Sequence, residues 1–396
     1  MAQTSAEQMR SWQGPALFSF GFRPFFLFAA VWAFLAMLLW IFTLSGAIVL
    51  PTRFDPVSWH AHEFLFGYLG AVLAGFLLTA VPNWTGRLPI VGWWLAALFT
   101  LWVIGRVAVL FSALLPAGLV LAIDVGFPSV LAVMILREII AGKNWRNLIV
   151  LALLAVFTVA NALFHIEAMN GDYAAQGYGL RLALATAVMM IAVIGGRIVP
   201  SFTRNWLART DSPVRPTPPM QRFDKLVLLA SLVILMLWVV EPIGRPTDIG
   251  LIVLGVLHLV RLMRWQGHHT MAEPLVWVLH LSYAFLPAGA LAMGFDGLLG
   301  GGNIASAQHL WTAGAIGAMT LAVMTRVTLG HSGRALTANR ATVAIYLCLF
   351  GSVAARVAMP GIPALSYAAG LLWLCAFGGF AMTYGPPLLR AKESRA

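Results

Sequence analysis

Charge is what this chain has least of. Only 10% of its 396 residues are Asp, Glu, Lys or Arg, where a soluble chain carries about 25%. With 60% hydrophobic residues and a mean hydropathy of +0.86, that scarcity excludes an ordinary water-soluble domain and implies an integral membrane protein. Cysteine is nearly absent as well. Cys348 and Cys375, the two in the chain, both fall inside hydrophobic runs, which excludes a disulfide framework or a thiolate metal site and leaves them as small core residues. The sequence has no Gly-x-x-x-x-Gly-Lys-Ser/Thr phosphate loop, no Cys-x-x-Cys, no Cys-x-x-Cys-His haem attachment and no His-Glu-x-x-His zinc helix. Any haem is therefore expected to be held non-covalently. Alternating short strands are missing too, which excludes an outer-membrane barrel. The polar stretch Met1 to Gly14 lacks the basic-then-apolar pattern of a cleavable signal peptide.

What is present is a series of oily segments long enough to cross a bilayer, which takes roughly 20 apolar residues per helix. Backbone groups without water must be satisfied within their own segment, so helices are the default. Twelve spans are read near 25–47, 59–81, 91–112, 118–138, 148–168, 180–200, 223–241, 247–264, 274–294, 309–327, 342–359 and 363–385. The expected fold is an all-α polytopic bundle, a single transmembrane domain over 1–396. It has a polar N-terminal segment at about 1–20 and a cytoplasmic Pro-rich linker at 201–222, which contains Pro213, Pro216, Pro218 and Pro219. The net charge of +11 is dispersed between spans rather than clustered on a soluble face, which argues against nucleic acid. If the N-terminus is inside, the inward loops hold Arg87, Arg137, Lys143, Arg146, Arg204, Arg209, Arg215, Arg222, Lys225, Arg261, Arg264, Arg334 and Arg340, and the tail holds Arg390, Lys392 and Arg395. Outward loops hold little beyond Arg53 and Arg245. By the positive-inside rule both termini are expected to be cytoplasmic.

Against that apolar background the histidines stand out, since imidazoles in a bilayer are costly and mark function by default. His60 and His62 open the second span in Trp59-His60-Ala61-His62-Glu63, and His309 opens the tenth. His62 and His309 share a register: Gly follows each five residues on (Gly67, Gly314). A hydroxyl-Gly-Arg triplet follows each 23 residues on, at Thr85-Gly86-Arg87 and Ser332-Gly333-Arg334. The interval spans about 34 Å of helix. His60 and His62 lie about 200° apart around a helix, so they are expected to serve two different centres, or one to bind while the other supports it by a hydrogen bond, with Glu63 placed to hold the second nitrogen of His60. The small-residue stretches behind His62 (Gly67, Gly70, Gly75) and His309 allow close approach of a backbone or a flat ligand. They suit a haem with His62 and His309 as its axial pair. His280 within the ninth span and His331 at the inner end of the tenth are further ligand candidates, while His268 and His269 read as exposed loop residues. Arg197 and Arg326 lie at inner ends, where they can snorkel to lipid. Arg106 and Arg356 lie near outer ends against the positive-inside bias and call for a buried acidic partner, which haem propionates would supply.

Several long strings carry a resemblance. Gly21-Phe-Arg-Pro-Phe-Phe26, Trp59-His-Ala-His-Glu63, Gly75-Phe-Leu-Leu-Thr-Ala-Val-Pro-Asn-Trp-Thr-Gly-Arg87, Gly196-Arg-Ile-Val-Pro-Ser-Phe-Thr-Arg-Asn-Trp206 and Met324-Thr-Arg-Val-Thr-Leu-Gly-His-Ser-Gly-Arg334 resemble the NnrS family from about residue 15 to 385. The resemblance implies a twelve-span bacterial inner-membrane protein containing haem b and copper, with a part in nitric oxide metabolism and protection against nitrosative stress. It maps the family's histidines onto His60, His62, His280, His309 and His331. Ser332 departs from the Thr expected there. The implied partners are nitric oxide or iron–nitrosyl species and the lipid bilayer, with an electron donor the sequence does not name. Histidines on spans two and ten are also similar to those of haem–copper oxidase catalytic subunits. That group carries its His-x-His on span ten and further copper histidines on spans six and seven, whereas span six here has none, so the likeness is one of architecture. Two other readings stand beside the haem–copper one: a twelve-span secondary transporter, and a metal-loaded sensor without turnover.

Overall fold

In the computed structural model, which describes residues 12–359, 362 and 364–390, twelve helices are long and apolar enough to cross a membrane. They are α1 Phe22–Leu44, α2 Pro56–Thr85, α3 Trp93–Leu110, α4 Ala117–Ala141, α5 Trp145–Met169, α6 Tyr178–Arg209, α7 Arg222–Val240, α8 Arg245–Met263, α9 Pro274–Leu299, α10 Ile304–His331, α11 Arg340–Ala358 and α12 Leu365–Leu389. No strand occurs among the described residues. Residues 1–11 of the polar N-terminal segment and the tail charges Lys392 and Arg395 lie outside the described residues. The linker is shorter than the sequence suggests. α6 runs on through Pro200 to Arg209 and buries Thr203 completely, which leaves 210–221 as the irregular connection.

The chain separates into two compact units. One comprises Met1–Ala183, Val327–Arg334 and Phe377–Ala396; the other comprises Leu184–Arg326 and Ala335–Ala376. The prolines at 213–219 lie within the second unit.

Three spans, α2, α6 and α10, are 83%, 78% and 72% buried along their apolar windows, against 33–39% for every other span except α9 at 61%. They recur every fourth span, and each contains a π-helical stretch: Glu63–Leu69, Ile191–Gly195 and Leu310–Ala318. A π turn replaces i→i+4 bonding by i→i+5. Each stretch also lends a carbonyl to a side chain: Gly67 O accepts from Trp102 Nε1 at 3.0 Å, Ala192 O from Arg261 Nη1 at 2.7 Å and Ile316 O from Thr320 Oγ1 at 2.7 Å.

In the second unit, a buried hydrogen-bonded chain ties α6, α7, α8 and α9 together. Fully buried Arg261 donates from Nε to Asp224 Oδ1 at 2.7 Å and from Nη1 to Ala192 O and Tyr283 Oη. Ser231 gives its one proton to Val227 O at 2.6 Å, so it accepts from His258 Nε2 at 2.9 Å. The other ring nitrogen, Nδ1, then accepts from Tyr283 Oη at 2.8 Å. Each hydroxyl and ring proton in this chain is thereby assigned, and Asp224 balances Arg261 charge for charge. The chain ends on a backbone carbonyl, so it fixes four helices and conducts nothing onward. Gly196 leaves the room it needs, since a Cβ there would strike the Arg261 guanidinium. Tyr283→Phe strands an acceptor on His258 and a donor on Arg261; we expect a loss of about 1–3 kcal/mol, read as a lower thermal unfolding midpoint in detergent. Gly196→Ala is expected to lower it further.

Candidate metal centre

Asp55 caps α2, accepting from Val57 N and Ser58 N at 3.0 and 2.9 Å, and Pro56 starts the helix without a donor to waste. That start sets His62 on the inward face, immediately before the π stretch, and the wider turn carries Glu63 to the same side. Arg106 comes from α3, Asp124 from α4, and Asn161 with His165, four residues apart on one face, from α5. These side chains belong to residues between 0% and 4% exposed. All sit near the ends of α2–α5 that meet at one side of the first unit: α2 and α4 at their starts, α3 and α5 at their finishes.

Glu63 Oε1 accepts from His62 Nδ1 at 3.0 Å and from Arg106 Nη1 at 2.7 Å, and Oε2 accepts from Trp32 Nε1 at 2.8 Å. Arg106 Nη2 pairs with Asp124 Oδ1. Asp124 Oδ2 accepts from Asn161 Nδ2 at 2.8 Å and from His165 Nε2 at 3.1 Å, and it lies 3.2 Å from His62 Nε2. The Asn161 amide is oriented by Asp124, so its Oδ1 faces His62 Nε2 at 3.1 Å.

Both nitrogens of His62 therefore face acceptors alone. Two carboxylates, Glu63 and Asp124, stand against one guanidinium, Arg106, all of them buried, where an unbalanced charge is costly. The site calls for one further positive charge at His62 Nε2, supplied by a second ring proton or by a cation. The geometry suits a cation. A nitrogen or oxygen of each of His62, Asp124 and His165 lies within 4.8 Å of the others, close enough to converge on an ion held at about 2.0–2.2 Å. Two imidazoles and a carboxylate form a set known for transition metals, with coordination positions left open. Glu63 holding the far nitrogen of His62 completes the carboxylate–histidine pairing that orients such ligands. Phe54, Phe66 and Phe164 pack on the His62 ring with centroids at 5.1, 5.1 and 5.4 Å.

His60 lies off this centre, stacked on Trp40 at 4.4 Å and beside Phe64 at 4.7 Å. The expected pairing of Glu63 with His60 gives way to Glu63 with His62, because the turn that begins at Glu63 is π-helical and does not follow α spacing. The acidic partners of Arg106 are the protein's own Glu63 and Asp124. His331 lies between the rings of Phe20 and Phe22, at 5.2 and 5.5 Å. In the second unit, His309 donates from Nδ1 to Ala305 O at 2.6 Å, and Arg356 reaches Ser306 Oγ, on the same helix as His309, at 3.2 Å. Thr203 Oγ1 gives its proton to Val199 O, so His280 donates to it from Nε2 at 2.7 Å; Nδ1 of His280 is buried without a hydrogen-bond partner. The small-residue face behind His309 is filled: a Cβ on Gly314 would strike Phe285 and one on Gly317 would press Trp373. It packs neighbouring side chains rather than leaving an open slot.

Sequence reasoning picks out none of Asp124, Asn161 and His165 as site residues. Asp124, a carboxylate within an oily span, is itself a signal, and so is the four-residue spacing of Asn161 and His165 on the next span.

These features define a polytopic helical membrane protein with a buried His–Asp–His centre capable of holding a metal. The chain matches the family described as NnrS protein over residues 16–392, nearly its whole length, and belongs to it. No curated protein matches the chain.

Removing Arg106 leaves two buried carboxylates facing each other. Arg106→Ala is expected to cost about 3–5 kcal/mol, seen as a large fall in the detergent unfolding midpoint. A midpoint equal to wild type would show that this network does not hold α2–α5 together.

Proposed function

We propose that the protein is a haem- and copper-binding protein of the bacterial inner membrane that acts in nitric oxide metabolism and so protects against nitrosative stress. The observation that carries this reading is the buried His62–Asp124–His165 group, whose charge balance lacks one cation, in a chain of the NnrS family. Copper fits its donor set. His62 Nε2, Asp124 Oδ2 and His165 Nε2 would hold the ion, which would take the place of the proton that His165 Nε2 gives Asp124, with Glu63 fixing the His62 ring and Arg106 offsetting the second carboxylate. For haem b the better-suited ligand is His309: its Nδ1–H is committed to a backbone carbonyl, which leaves the Nε2 lone pair free to bind iron if haem is present. Arg356 is close enough on the neighbouring helix to meet a propionate. Because Phe285 and Trp373 fill the glycine face, such a haem would be held from His309 and Arg356. His60, His280 and His331 are assigned no metal in this reading. Bound copper and haem iron supply open positions for nitric oxide and for electron transfer. The chain's own contribution is to orient the ligands and bury them away from bulk solvent.

Purified protein should carry copper and show a Soret band. His309→Ala should abolish the Soret band while copper stays. His62→Ala, Asp124→Ala or His165→Ala should lose copper while the Soret band stays, and NO consumption with a supplied reductant should fall in both groups. A colourless protein that takes up no copper would sink the reading.

A further inference from the structure

The segment between α1 and α2 is strapped to the α3–α4 connection. Arg53 N donates to Ser112 Oγ at 2.9 Å, Arg53 Nε to Ser112 O at 3.2 Å, Arg53 Nη2 to Leu115 O at 3.1 Å, and Ala113 N to Pro51 O at 3.1 Å. The strap delivers one buried side chain, Phe54, onto the metal-competent histidines. Its ring lies 5.1 Å from that of His62 and 5.4 Å from that of His165, and it meets Phe164 edge-on at 5.5 Å. Beside Phe54 is a void of ≈ 20 Å³, walled by Phe54, Ala117, Val120, His165 and Ala168 and reaching the exposed side chains of Arg53 and Met169. Neither His62 nor Asp124 lines it; Phe54 separates it from the His62 ring.

That volume is just enough for one water, which needs roughly 10–15 Å³ measured in this way. The polar groups at its edge, Arg53 and Ser112, are engaged in holding the strap. The walls next to His165 are apolar. We propose that this void is the port by which an exchangeable ligand reaches the metal held by His62, Asp124 and His165. It admits a single water or a diatomic molecule, and Phe54 sets the size limit. The proposal rests on the copper reading above. It assigns Phe54, Ala117 and Ala168 to access, with no part in holding the ion.

Two kinds of substitution act in opposite directions. Ala168→Phe and Ala117→Phe fill the void from half-buried walls on two different helices; Phe54→Ala opens the cover over both imidazoles. The test uses the full chain loaded with copper, with carbon monoxide as the diatomic probe of the reduced protein and azide as a larger probe of the oxidised protein. Copper content is measured in parallel. With copper content as in wild type, carbon monoxide rebinding after photolysis is expected to slow by about tenfold in the filled variants, as for association that must wait on a rearrangement, and to speed up in Phe54→Ala. Azide should perturb the copper spectrum of Phe54→Ala and leave wild type unchanged. Unchanged rebinding in the filled variants and in Phe54→Ala, with copper retained, overturns the port while leaving the copper reading intact. Azide binding equally to wild type overturns the size limit. Copper content equal in wild type and His165→Ala removes the centre itself, and the port with it.

Discussion

A charge that cannot be left unbalanced organises the first unit. In water, Glu63 and Asp124 would repel weakly and solvate independently. Inside a helical bundle each must find compensation from protein, and among the described residues Arg106 is the guanidinium that touches both. Its fixed fork lets one side chain from α3 bind carboxylates on α2 and α4 at once. That fork sets the remaining contacts: Glu63 turns toward His62 and Trp32, and Asp124 collects His165 and Asn161. Counting side chains other than histidine, the arrangement is one positive charge short, and a second ring proton on His62 or a bound cation completes it. A structural ion pair would be complete with equal numbers, as Asp224 and Arg261 are in the second unit. The two networks thus differ in what completes them: matched side chains in the second unit, and in the first a further proton or a cation at His62.

The two networks differ in their ends as well. The chain through Arg261, Tyr283, His258 and Ser231 finishes on Val227 O, with each hydroxyl and ring proton committed. At His62 and His165 the donors converge instead on the space around Asp124 Oδ2. Phenyl rings pack on His62 beside that point, and the apolar surroundings strengthen every electrostatic interaction there. Burial and an incomplete charge set act together: the first makes the second costly, so the site needs either an imidazolium at His62 or a cation.

The spans are legible in the sequence because a bilayer imposes one requirement on every residue of a segment, and a long apolar run satisfies it visibly. His62 is legible for the converse reason, as a polar group in the wrong solvent. Its partners are harder to see. Arg106 meets Glu63 across 43 positions and His165 meets Asp124 across 41; neither meeting leaves a periodic trace within one helix. α spacing matches Glu63 with the wrong histidine because the turn there is π. The glycines behind His309 read as room for a flat ligand. They are equally the mark of aromatic side chains arriving from elsewhere, and Phe285 and Trp373 are what arrives. The register shared by His62 and His309 does report something real: each histidine is the last residue before a π stretch, and Gly67 and Gly314 lie inside those stretches.

Those π stretches make the centre depend on counting as well as on chemistry. A π turn holds one residue more than the α turn it interrupts, so its removal would rotate the upstream part of the helix by about 100° against the downstream part. His62 would then leave the face it shares with the rest of α2 even though no ligand had been substituted. For this protein a single-residue deletion between Glu63 and Leu69 would break up the His62, Asp124 and His165 group without touching any of the three, and the spelling of the site includes the length of the word.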